Sequence, residues 1–148
     1  MPYPAQEYAE AFIKHRLPLL ALLEKIPVEH STFAIREGAL NLLAMVNHLY
    51  LTDVYLLSVL SGEKFVPPAP ASDLSSALVA FQVSTPKVQA FLENLSQDQL
   101  SQDIKAFGQT WKAYRLIEFG REHEAHHKGQ LWFMARAVGI EPPMFYQF

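Results

Sequence analysis

Glu63-Lys-Phe-Val-Pro-Pro-Ala-Pro-Ala71 decides how this chain folds, because it sets how far apart the helices on either side of it can lie. Pro67, Pro68 and Pro70 hold the segment extended, and at about 3.1 Å per residue in polyproline II geometry nine residues reach roughly 28 Å. That length carries the chain along most of a helical bundle, so the flanking helices can run parallel instead of returning as a hairpin. Upstream, from about Glu37 to Leu60, the run Leu40, Leu42, Leu43, Met45, Val46, Leu49, Leu51, Val54, Leu56, Leu57 and Leu60 reads as a helix apolar on nearly every face. Such a helix is expected to be buried by several neighbours. Ser61-Gly62 ends it. Downstream, a helix capped by Ser72 or Asp73 carries Leu74, Leu78, Phe81, Thr85, Val88, Leu92 and Leu95 at three-four spacing, the pattern of a packed seam, with a kink expected at Pro86.

Two more helices flank this pair. From about Ala5 to Ile26, Tyr8, Phe12, Leu19, Leu22 and Ile26 recur with a helical period; Pro18 should bend or break that helix and Pro27 ends it. Ser96 to Gln109 is polar, holds Gly108, and reads as a loop with one short turn at most. The last helix runs from about Thr110 to Val138, with Gly139 as its C-cap and Pro142-Pro143 preventing continuation. The tail, Met144-Phe-Tyr-Gln-Phe148, is too aromatic to remain in water and is expected to dock on the bundle or on a second subunit. No stretch shows a convincing strand alternation. The class is therefore all-α, in one domain spanning 1–148.

Composition narrows the function. Half of the 148 residues are apolar, enough for a sizeable core. The net charge of −3, with no block of like charge, offers no basic patch for nucleic acid. The absence of cysteine removes disulfides, thiolate ligands and a cysteine nucleophile together. Neither a signal core nor an uninterrupted membrane-spanning stretch is visible, and a cytoplasmic location, with no membrane partner, is expected.

The chemistry concentrates in Arg121-Glu-His-Glu-Ala-His-His-Lys-Gly-Gln130. His123 and His127 lie four apart, about 40° around a helix, so both imidazoles leave one face and can close on one metal ion. Leu116, Phe119, Gly120, His123, His127, Gln130 and Met134 form the inward stripe. Gly120 would leave open volume beside the metal, and Gln130 could orient a ligand imidazole. Two protein ligands rarely hold a transition metal well, and the candidate third is His48 in the apolar second helix. An imidazole buried there without a partner costs on the order of 1 to 3 kcal/mol, and its neighbours Asn47 and Asp53 cannot face it. His15, on the inward stripe of the first helix, reads as a core or pocket-wall histidine; His126, about 60° off His123, reads as rim. Glu122 and Glu124 read as solvated, or paired with Arg121 and Lys128. His123-Glu-Ala-His-His127 also matches the H-E-x-x-H string of zinc proteases, with Glu124 as base. The longer protease form requires His where Phe133 stands, and no peptide-aligning sheet edge is visible.

His48 in an apolar second helix, followed by His123-x-x-x-His127-x-Gly129-Gln130 and then by Gly139-Ile-Glu-Pro-Pro143, resembles the DinB/YfiT-like family of metalloenzymes over essentially the whole chain. The resemblance implies a four-helix bundle with a long crossover after the second helix, a three-histidine site at His48, His123 and His127 holding nickel or zinc, and a homodimer. It also implies a possible reaction, since relatives include transferases that use low-molecular-weight thiols such as bacillithiol and mycothiol. Three neutral imidazoles leave a divalent ion its full charge and at least one open position, which suits a small-molecule substrate. Such an ion can lower the pKa of a bound water or thiol. The expected function is thus a divalent-metal-dependent enzyme, with a thiol S-transferase, a hydrolase and a non-catalytic binding module as the alternatives.

Overall fold

The computed structural model describes residues 1–148. Four long helices form a bundle: α1 (Ala5–Lys25), α2 (Leu42–Ser61), α3 (Leu74–Glu93) and α5 (Ala113–Ala137). A short helix α4 (Gln97–Ser101) and a two-stranded hairpin, β1 (Asp103–Ala106) with β2 (Gln109–Lys112), join α3 to α5. The principal contacts pair α1 with α3 and α5, and α2 with α3 and α5, so the consecutive helices α1 and α2 stand diagonally across the bundle. Its centre is filled by Leu19, Leu22, Val46, Phe81, Leu131 and Met134, all fully buried.

The ends of the helices follow from local chemistry. α2 begins at Leu42, not at Glu37, because the Asn41 side chain accepts the Ala44 N–H at 2.8 Å as an N-cap. Asp73 caps α3 in the same way through Ser76 N–H. Gly139, at φ +84°, closes α5, with its N–H on Arg136 O and the Ile140 N–H on Ala135 O. The crossover from Gly62 to Asp73 has no regular structure, and one side chain of α2 clamps it. Asn47 donates to Ala71 O at 3.0 Å and accepts from Ala71 N–H at 2.9 Å.

Four expectations are corrected. The hairpin replaces the loop and takes Thr110 to Lys112 from the start of the last helix. Its strands are four residues each, too short to display an alternation, and its turn lacks the Asn-Gly pair that signals one. α2 is not enclosed on all sides: Leu42, Met45, Val46, Leu49 and Leu60 are its buried apolar residues, and most of the others are only half-buried. The space at Gly120 is not open, since a Cβ there would lie 2.5 Å from Leu56 Cδ1; glycine lets α2 and α5 approach closely.

The fourth concerns Pro18, where α1 is uninterrupted. Proline has no N–H for the carbonyl of Lys14. The C-terminal tail fills that position, Gln147 N–H donating to Lys14 O at 3.0 Å. The buried Lys128 ammonium ties the same two segments together, donating to His15 O at 2.7 Å and to the Phe145 carbonyl, while Trp132 Nε1 donates to Pro143 O at 3.1 Å. The tail thus docks along α1 and α5, but through hydrogen bonds to its main chain and not by hiding its aromatic rings, since Met144, Phe145 and Phe148 stay exposed.

Candidate metal centre

α5 presents His123 and His127 one turn apart, and α2, packed alongside, brings His48 against both. Its Nε2 lies 3.0 Å from His123 Nε2 and 3.1 Å from His127 Nε2, and the latter two are 3.1 Å apart. Three nitrogens from two helices therefore make a nearly equilateral triangle. With imidazole–metal bonds of about 2.0–2.1 Å, one ion could be reached by all three nitrogens at these separations.

The protonation states suit a ligand set. His127 Nδ1 lies 2.7 Å from Gln130 Oε1, which only accepts, so Nδ1 carries the hydrogen and Nε2 is the nitrogen turned into the triangle. Gln130 thus has the orienting position read from its spacing. Burial lowers the pKa of His48 and His123, the latter to about 4, with the neighbouring imidazoles adding to the effect. Both are neutral at physiological pH. His123 Nδ1 is buried without a protein partner, and its ring borders a cavity of about 60 Å³ lined by Phe12, Leu56, Leu60, Val88 and Ile117. The donor set fits a divalent ion: three imidazole nitrogens, one from each histidine, converge within 4.8 Å of one another.

Beside the histidines lies a second polar cluster that spacing did not reveal. Arg16, 1% exposed, donates from Nε to Glu124 at 2.5 Å, from Nη1 and Nη2 to both oxygens of Asp53 at 3.0 and 2.9 Å, and from Nη1 to Thr85 Oγ1 at 3.0 Å. Ser84 Oγ donates to Asp53 at 2.9 Å. The guanidinium is sandwiched between the rings of Phe12 and Phe81, 4.6 and 3.9 Å from their centroids. One residue from each long helix therefore meets at Arg16. This overturns the solvated reading of Glu124: it is buried, bound to Arg16, and turned away from the histidines beside it, so it cannot serve as the base of a protease motif. Burial raises the Glu124 carboxyl's pKa, with Arg16 opposing the rise. Burial likewise lowers Lys128 to about 8.

The remaining histidines stay outside the triangle. His126 is exposed at its rim, with its ring 4.9 Å from that of His127. His15 is half-buried and edge-on to Tyr146, 5.2 Å between centroids, with Nδ1 unpartnered. The only warning of Arg16 in the sequence was its place beside the apolar stripe of α1, a position from which long side chains usually reach water.

Comparison with known proteins agrees with this architecture. The family model described as the DinB family matches residues 1–148. The uncharacterized protein YjoA of Bacillus subtilis (strain 168) is 31% identical over 145 residues, covering 92% of each chain. The crystal structure of a DinB-like protein, YjoA from Bacillus subtilis, superposes with a TM-score of 0.80 at 27% identity, over 95% of this chain and 98% of that one. A DinB-like protein from Bacillus cereus ATCC 10987 gives 0.79 at 16% identity, over 92% and 93%. YfiT from Bacillus subtilis, described as a probable metal-dependent hydrolase with an unusual four-helix bundle topology, gives 0.73 at 15% identity, over 93% and 89%; the last two likenesses show the fold alone.

Proposed function

The chain belongs to the DinB family, and on that premise we propose that it is a divalent-metal-dependent enzyme whose ion is held by His48, His123 and His127. The observation that carries this reading is the triangle of three Nε2 atoms 3.0–3.1 Å apart. When bound, a divalent ion supplies Lewis acidity toward a water, a thiol or a carbonyl oxygen brought beside it. The chain's own residues do the rest. Gln130 holds His127 in the tautomer that offers Nε2, and the packing of α2 on α5, close at Gly120, holds His48 in reach. Imidazole suits both nickel and zinc.

The substrate is a small molecule attacked by a nucleophile activated at this centre. Hydrolysis is favoured by the fold neighbour YfiT and its description as a probable metal-dependent hydrolase. Transfer of a low-molecular-weight thiol is the second reading. It rests on the same three-histidine donor set and on the absence of cysteine, which leaves any thiolate to a cosubstrate.

Elemental analysis of the purified protein beside His48→Ala and His127→Ala, after dialysis against nickel and zinc, tests the proposal. One equivalent of metal in the parent and loss in both variants is the expected result. Equal content in all three would refute the site. With the site established, ester and amide hydrolysis assayed against thiol consumption separates the two reactions.

A further inference from the structure

The hairpin between α4 and α5 ends in an unusual turn. Phe107 and Gly108 form its two-residue loop with φ +53° and +72°, the mirror-image turn in which asparagine or aspartate normally precedes glycine. A bulky residue in left-handed backbone is an outlier held in place by its surroundings. Here the Phe107 N–H donates to Tyr55 Oη at 3.2 Å, tying the tip to α2. The Phe107 ring packs against Tyr55 at 4.8 Å and Phe119 at 5.6 Å, yet the residue remains 53% exposed.

From Phe119 the rings continue to Trp111 at 5.2 Å and to His123 at 6.3 Å. Phe119 stands one turn before His123 in α5, and Tyr55 stands seven residues after His48 in α2, about 10 Å along the helix at 1.5 Å per residue. The aromatic strip therefore starts at the three histidines and ends at the hairpin tip. Its inner rings are half-buried, not core, so an apolar group laid along the strip would remove further ring surface from water.

We propose that Phe107, with Phe119 and Trp111, is the specificity wall of the three-histidine centre and selects small substrates carrying an aromatic or bulky apolar group next to the group that meets the histidines. This rests on the metal-centre reading above. It explains why a strained phenylalanine occupies a turn position for which asparagine is the better structural choice: the ring is needed at the tip.

The test uses cobalt(II)-loaded protein titrated with acetohydroxamate and benzohydroxamate, which share a metal-binding group and differ by a ring. The cobalt absorption band reports binding. The parent should bind benzohydroxamate about tenfold tighter, the factor expected for partial burial of one ring. Phe107→Asn should bring the two probes within about twofold of each other through loss of benzohydroxamate affinity alone, while the metal-free variant melts no lower than the parent because Asn-Gly suits the turn. Phe107→Tyr should retain the preference. A preference equal in parent and Phe107→Asn, or no preference in the parent, overturns the wall while leaving the metal reading intact. Failure of the parent to take up cobalt overturns both.

Discussion

Gln130 is the residue on which the orientation of the centre depends. It touches His127 and no other histidine, so its loss should leave the fold intact and free the His127 ring to rotate or exchange tautomers. Gln130→Leu is expected to lower metal affinity by about 10- to 100-fold, measured by competition with a chelator, with the thermal midpoint of the metal-free protein unchanged. His48, His123, His127 and Gln130 were all legible in the sequence, because a helical period converts spacing into a shared face. The protonation of the other buried imidazoles gives a second expectation. Burial lowers the pKa of His15, first of all, with Lys128 and Arg121 adding to it, and burial lowers His48 and His123 in the same direction. Below about pH 6.5 the unfolded chain binds protons at these rings that the folded chain does not, so stability is fully present above that pH and falls as pH drops toward 4. Urea midpoints of metal-free protein between pH 7 and pH 4 should show the decline, and His15→Gln should reduce its slope. An unchanged slope in that variant would place His15 outside the effect.

Helices α1, α2, α3 and α5 are held in mutual register by Arg16, because each contributes a partner to one guanidinium or the guanidinium itself. Removing it leaves Asp53 and Glu124 buried without their countercharge. Arg16→Met should destabilise the protein by about 3–5 kcal/mol, read from chemical denaturation, and more than Asp53→Asn, which keeps a hydrogen-bonding group opposite the arginine. A loss below 1 kcal/mol would mean that Lys128 or water replaces it. This cluster was not legible, and the reason is physical: Arg16, Glu124 and Lys128 follow a helical period as faithfully as leucine does, but charge is ordinarily read as the solvated face. The consequence was an inward stripe on the last helix drawn too narrow. α5 buries Glu124, Lys128, Leu131 and Ala135 toward its neighbours as well as Leu116 and Met134. The hairpin escaped detection for a different reason, its four-residue strands and a turn whose first residue is the strained Phe107.

Across the whole molecule, the C-terminal tail ties α1 to α5 through main-chain hydrogen bonds, and Pro18 makes one of them possible. A helix interior normally leaves no carbonyl for an outside donor, but proline at position 18 frees Lys14 O, and Gln147 N–H, 133 residues away in sequence, takes it. Lys128 then bridges His15 O and Phe145 O from the opposite helix. Lys128→Met keeps the side-chain volume and removes both bonds, leaving two carbonyls to find water, which they do most easily if the tail lifts away. The exposed aromatic residues of the tail make that motion visible. Chymotrypsin should cleave after Phe145 or Tyr146 several-fold faster in Lys128→Met than in the parent, with far-ultraviolet dichroism unchanged, since the bundle itself is closed without the tail. Pro18→Ala should give a smaller acceleration, because its N–H competes for Lys14 O but leaves the lysine bridge in place. Equal cleavage rates in all three proteins would show that the packing of Tyr146 on His15, not the proline-opened carbonyl, keeps the tail on the bundle.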